Sequence, residues 1–247
     1  MQPWPGHEDP ATAQVVYLTF PGQVIENRIF RRAVIVQAPN ITFRNVRFQH
    51  PRDFWMLLVD ESAGLNENAN ILVEDSHFDG MASPSQNAGI GGPGWTLRRV
   101  EIERTEDGAK LQKNTDVYDS WCHNLIASTP DPHYDCFQSL GGFDVDMVHN
   151  TIEIGVGEDR NAAIFLKTDG GPITDSFIYN NRLLGGGWTV SSVSGCGWGM
   201  CWGPPTGTVI QNNRFGDHAY GYITYEGSIV RCGNVRDDNG QPIDAAC

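Results

Sequence analysis

One short pattern returns along most of the chain: an apolar residue, a polar corner, then a second apolar residue. It reads Ile25-Glu-Asn-Arg-Ile29, Phe43-Arg-Asn-Val-Arg-Phe48, Val73-Glu-Asp-Ser-His-Phe78 and Leu97-Arg-Arg-Val-Glu-Ile102. It continues as Val117-Tyr-Asp-Ser-Trp121, Val148-His-Asn-Thr-Ile152, Ile178-Tyr-Asn-Asn-Arg-Leu183 and Ile210-Gln-Asn-Asn-Arg-Phe215. The corner column is Asn27, Asn45, Asp75, Arg99, Asp119, Asn150, Asn181 and Asn213, in steps of 18 to 32 residues. Apolar residues alternate with period two around each corner and lack helical spacing, so the unit is built of strands. A unit repeated in one chain stacks on its copies. The stretch Asp107–Cys122 and its copy Asp135–Ile152 show the whole unit: two short strands joined at a corner.

Asn and Asp suit that corner because they tolerate left-handed backbone angles at modest cost. Rungs of a parallel stack lie about 4.8 Å apart, so stacked Asn side chains can also hydrogen-bond along the column. The expectation is a right-handed, single-stranded parallel β-helix of about eight coils. Its hand follows from the rule for parallel crossovers. One domain over 1–247 is expected, with a lead-in loop at 1–14 and a C-terminal tail at 230–247. Three Gly- and Pro-rich excursions leave the repeat: Met81–Gly94, Ile126–Tyr134 and Gly195–Thr206. A longer segment, Arg52–Asn70, carries Phe54-Trp55-Met56-Leu57-Leu58, read as one buried strand with an exposed aromatic.

Charged residues make up only 19% of the chain and glycines number 28, as expected of a turn-rich all-β protein. The net charge of −13 argues against nucleic acid and against an anionic membrane surface. No apolar run approaches the roughly 18 residues needed to span a bilayer. The cysteines are six in number, an even count that favours disulfides and an oxidising compartment. Cys196 with Cys201 would close a small loop and Cys232 with Cys247 would pin the C-terminus. Cys122 and Cys136 remain, on adjacent coils. A zinc site is the rival reading, but the spacings match no common finger pattern. Met1-Gln-Pro-Trp-Pro-Gly6 is polar and does not read as a signal peptide, so an extracellular location rests on the cysteines alone.

Alternation on the first strand of each coil points Ala109, Leu111, Phe137, Ile164 and Leu166 inward. Lys110, Gln112, Gln138, Phe165, Lys167 and Tyr222 then face outward. His133 and Asp135 arrive from the preceding loop, with Asp131 at its tip. Breaking a uronate chain by β-elimination needs a base for the C5 proton, a cation for the carboxylate, and an acid for the leaving oxygen. Lysines supply cation or base, and histidine carries protons near neutral pH. The candidate catalytic set is therefore His133, Lys110, Lys167, Asp131 and Asp135. Candidate substrate contacts are Gln138, Gln112, Asp169, Trp188, Tyr222 and Tyr225, joined by Trp198 and Trp202. Asp107 and Asp135 sit at the same place on consecutive coils. They cap the turn, or form a carboxylate pair for glycoside hydrolysis, or hold Ca²⁺.

Several segments, Ile25–Phe48, His133-Tyr-Asp-Cys-Phe-Gln138, Ala163–Asp169 and Asn180–Val190, resemble secreted bacterial right-handed β-helix repeat proteins of the pectate-lyase-like superfamily. The resemblance covers nearly the whole chain and implies the β-helix fold. The superfamily includes polysaccharide lyases, glycoside hydrolases and uronate epimerases. Asp131-Pro-His133 is similar to the Asp-Pro-His of mannuronan C5-epimerases, although Ser128 stands where that family carries Tyr. The leading expectation is an extracellular lyase of an acidic glycan, acting as a monomer without a cofactor. The alternatives are a hydrolase using Asp131, Asp135 or Asp169, an epimerase on the same face, and a surface protein that binds glycan without cleaving it.

Overall fold

The computed structural model describes residues 7–8, 15–49, 55–81, 88–126, 133–157, 160–197 and 199–247. The lead-in at 1–14 apart from 7–8, Phe54, Ser128, Asp131 and Trp198 lie outside the described residues. What is described is short strands joined by turns and wound into a parallel β-helix; its one helical element among the described residues is a short 3₁₀ turn, Glu61–Ala63. No helix is long and apolar enough to cross a membrane among the described residues.

Each coil contributes one strand to each of three parallel sheets. The first sheet runs through Val15–Leu18, Ala33–Val36, Leu57–Val59, Ala88–Gly91, Asp107–Lys113, the start of Tyr134–Val148, Arg160–Lys167, Trp188–Val193 and Gly221–Tyr225. Nine coils are thus described, one more than the repeat suggested. The interior is a set of stacked columns. One runs Phe30, Phe48, Phe78, Ile102, Cys122, Ile152, Leu183 and Phe215, all essentially closed to solvent. Within it the Phe48 and Phe78 rings stack with centroids 4.5 Å apart, a geometry that adds to their area burial.

The corner between the second and third sheets corrects the expected column. Asn27, Asn45, Asp75, Arg99 and Asp119 all take positive φ, as expected, but the column continues through His149, Asn180 and Asn212. Asn150, Asn181 and Asn213 stand one residue later, buried on the inside. Two adjacent columns do two jobs there. The outer one turns the chain; the inner one is a ladder. The Asn181 Oδ1 accepts from the Asn150 backbone N–H at 2.8 Å and from its Nδ2 at 3.1 Å. Asn181 donates likewise to Asn213, and Asn213 to Asn234. The ladder ends on Asp244, whose carboxylate accepts from the Asn234 N–H and Nδ2. A second left-handed column, Asn40, Asn70, Asn114, Asp144 and Asp175, turns the chain between the first and second sheets.

Three disulfides pin the excursions. Cys122–Cys136 joins consecutive coils from inside, Cys196–Cys201 closes the antiparallel hairpin of Gly195–Gly197 with Met200–Trp202, and Cys232–Cys247 ties the tail to the last coil.

Candidate functional site

On the outer face of the first sheet one column reads Leu58, Gly91, Lys110, Gln138, Phe165, Ser191 and Thr224. Lys110 and Gln138 form a polar step between apolar or small neighbours. Gly91 is required beside them: a Cβ there would come within 2.5 Å of the Trp55 ring, which lies across the backbone. At the end of these strands Gly141 and Gly142 turn the chain into the second sheet. Gly142 approaches so closely that a Cβ would sit 2.1 Å from the Gln112 carbonyl oxygen. Gly170 and Gly171 follow on the next coil, and the lowered rim leaves a groove of about 610 Å³. Its walls carry Trp55, Glu61 and Phe143; Lys110, Gln112 and Gln138 supply its polar groups.

Charges hold Lys110 in place. Its Nζ donates to the Asp107 carboxylate and to the Gln138 amide oxygen. The Asp107 Oδ1 accepts from the Asp135 N–H at 2.9 Å. Asp135 is fully buried, and both its oxygens are used: Oδ1 by the Ala162 N–H, Oδ2 by Gln138 Nε2 and Asn161 Nδ2. Burial, and secondarily the Asp107 charge, push the Asp135 carboxyl up to about 8. Desolvation favours the neutral form in this way even when hydrogen bonds oppose it. All four oxygens of Asp107 and Asp135 thus accept from protein donors, and Asp135 touches no solvent. The pair forms the floor under Lys110; a buried carboxyl whose two oxygens are both engaged by the protein cannot reach a glycosidic bond.

Lys167 lies on the same outer face as Lys110, two rungs on and two residues further along the strand. It pairs with Asp169 at 3.0 Å. Asp169 packs under the Cys196–Cys201 hairpin, so close that a Cβ on Gly195 would fall 2.2 Å from its Oδ1. His133 does not join the two lysines. It is exposed at the opposite end of its strand, five residues before Gln138, and at about 3.3 Å per residue the gap is roughly 16 Å. Asp131 lies outside the described residues.

Three of the aromatic candidates, Trp188, Tyr222 and Tyr225, sit further along the solenoid. Trp188 is partly exposed over Gly221, and Tyr225 is exposed with Arg231 near its ring. Tyr222, expected on the open face, packs inward instead, edge-on to Phe215 at 5.8 Å and to His218 at 4.3 Å. Thr224, in line with Gln138, is three rungs away, about 14 Å.

Glu61, Phe143 and Asn161 are contributors that strand alternation missed. Glu61 and Phe143 line the groove from segments outside the first-sheet strands; Glu61 pairs with Lys113 at 3.1 Å. The doubled glycines 141–142 and 170–171 were the signal that this rim is low. A scan against protein-family models, a search of curated proteins and a search of solved structures each found no match.

Proposed function

We propose that the protein is an extracellular carbohydrate-active β-helix of the pectate-lyase-like kind, and that it cleaves an acidic, uronate-containing glycan by β-elimination in the Lys110 groove. One observation carries the reading: the Lys110 ammonium, immobilised by Asp107 and Gln138, stands on the floor of a groove walled by Trp55 and Phe143. A saccharide ring presents an apolar face that stacks on aromatics and hydroxyls that bond to amides. A uronate adds a carboxylate, which Lys110 would neutralise, so that solvent hydroxide could take the C5 proton as the C4–O bond breaks and water protonates the leaving oxygen. Gln112 and Gln138 would hold ring hydroxyls. The three disulfides support an oxidising, extracellular setting.

Binding without cleavage is the second reading, and a specific observation favours it. The charged groups of the groove are already paired, Lys110 with Asp107 and Lys113 with Glu61, which leaves no free base in the groove among the described residues. Incubation with a panel of polyuronates, followed by absorbance of unsaturated uronate and by calorimetric binding, separates the two. The lyase reading expects unsaturated product. Lys110→Met should abolish it and weaken binding of the anionic glycan about tenfold or more, because one charge-assisted contact is removed. Binding without product in the unmodified chain establishes the second reading. Wild-type activity in Lys110→Met overturns the assignment of the site.

A further inference from the structure

The outer face of the third sheet holds a second constellation, on the side away from the groove strands. His77 and Glu101 are register partners on consecutive coils, and Glu103 lies two residues beyond Glu101 on the same outward face. Between them Phe78 and Ile102 point into the core. One nitrogen of His77 and one oxygen from each glutamate all lie within 4.8 Å of one another.

Two features set this cluster apart from an ordinary surface ion pair. First, His77 is 5% exposed, and neither of its ring nitrogens makes a hydrogen bond. Its Nε2 lies 3.2 Å from the Glu103 Oε1 without hydrogen-bond alignment. Second, the Glu101 Oε2 is also buried without a partner. A buried imidazole and a buried carboxylate oxygen left unpaired cost free energy that a native fold rarely leaves unrecovered. A metal ion recovers it. Two ligand atoms each about 2.1 Å from one ion, at tetrahedral to square angles, stand roughly 3.0–3.4 Å apart, the separation found between His77 and Glu103.

The surroundings are those of an outer coordination shell. The His123 Nε2 lies 3.1 Å from the other Glu101 oxygen, Oε1, so an Nε2–H tautomer donates there and leaves Oε2 free. Arg104 holds Glu103 Oε1 at 3.0 Å while also binding Asp79 at 2.7 Å. Such partners orient the ligands and set their basicity.

We propose that His77, Glu101 and Glu103 bind one divalent transition-metal ion of the zinc class, with a further position open to water. One imidazole with two carboxylates suits zinc, cobalt or manganese. Calcium, which takes six to eight oxygens, is disfavoured by the imidazole. The ion would fasten the third and fourth coils at their outer face.

The test uses the full chain after dialysis against a chelator. Zinc chloride, cobalt chloride and calcium chloride are titrated in turn, with calorimetry and equilibrium dialysis as readouts. One zinc per chain is expected, with calcium bound at least tenfold more weakly. Glu103→Gln keeps the size and shape of the side chain, so it reads the site even if His77→Ala misfolds. Either should weaken zinc about a hundredfold or more, and His123→Ala by about 10- to 100-fold as an outer partner. The Trp121 ring stacks on His123 with centroids 3.5 Å apart, so cobalt should quench its emission. No saturable zinc uptake by the wild type overturns the proposal. So does uptake that is unchanged in both Glu103→Gln and His77→Ala, because the ion would then sit elsewhere.

Discussion

Asn180 and Asn181 are neighbours with the same side chain, and the fold uses them for different physics. Asn180 sits at φ 54 in the turning column; Asn181 is buried and satisfies the Asn150 N–H, the Asn150 Nδ2 and the Met147 carbonyl. Asn181→Ala strands those three buried groups and should cost about 2–4 kcal/mol in urea unfolding. Asn180→Gly keeps the left-handed angle at no steric cost and should change stability by less than about 0.5 kcal/mol. Equal losses at both positions would contradict the assignment of the columns. Asp135 carries a pH signature of its own. Folded, it keeps its proton to about pH 8; unfolded, a carboxyl loses it near about pH 4. Between those values the native state holds the extra proton, so stability falls as pH rises; below about 4 the contribution is fully present. Asp116, raised to about 6 by burial and then by Asp146, acts the same way over the lower part of that window. Thermal melts should therefore decline from about pH 5 to 8, and Asp135→Asn should flatten the decline. A melting temperature that rises over that range in the wild type would refute this account.

At the scale of strands and corners, the coil was legible in the sequence because left-handed turns restrict which residues stand there. Asn27, Asn45, Asp75 and Asp119 marked those turns unambiguously. The alignment slipped at Val148-His149-Asn150, where His takes the turn and Asn the ladder; a preference for Asn at corners points to the wrong one. The same ambiguity recurs at Asn180-Asn181 and Asn212-Asn213, where both residues suit either place. Alternation put Lys110, Gln138 and Lys167 on one outer face because strand periodicity is local. It could not place His133, which lies past the end of the regular strand, nor show that Tyr222 folds back onto Phe215. The groove walls were hidden for another reason. Trp55 and Glu61 reach Lys110 from about fifty residues upstream, through a segment whose course no repeat specifies. The depth of Asp135 was hidden too, since it depends on Asn161 and Ala162 arriving from the next coil. The His77, Glu101 and Glu103 constellation is of the same kind: its members lie on two different coils, and only the register brings them together.

Across the whole molecule, the Asn ladder runs in one direction. Asn150, Asn181, Asn213 and Asn234 each donate toward the C-terminal end, where the Asp244 carboxylate accepts and has nothing left to donate. The tail also covers the final coil through the Gly233 N–H to Ala245 carbonyl bond and the Cys232–Cys247 bridge. Unprotected strand edges invite pairing with another chain. A chain ended after Arg236 with Cys232→Ser should therefore sediment as larger, concentration-dependent species than the full chain; identical sedimentation would show that the tail guards nothing. Residues 237–247 rest on the last described rung, and their fit depends on that rung and not on how many rungs precede it. Duplication of an internal coil would then lengthen the solenoid by one rung and leave the contacts of residues 237–247 unchanged, so a solenoid of this kind can grow by copying its middle.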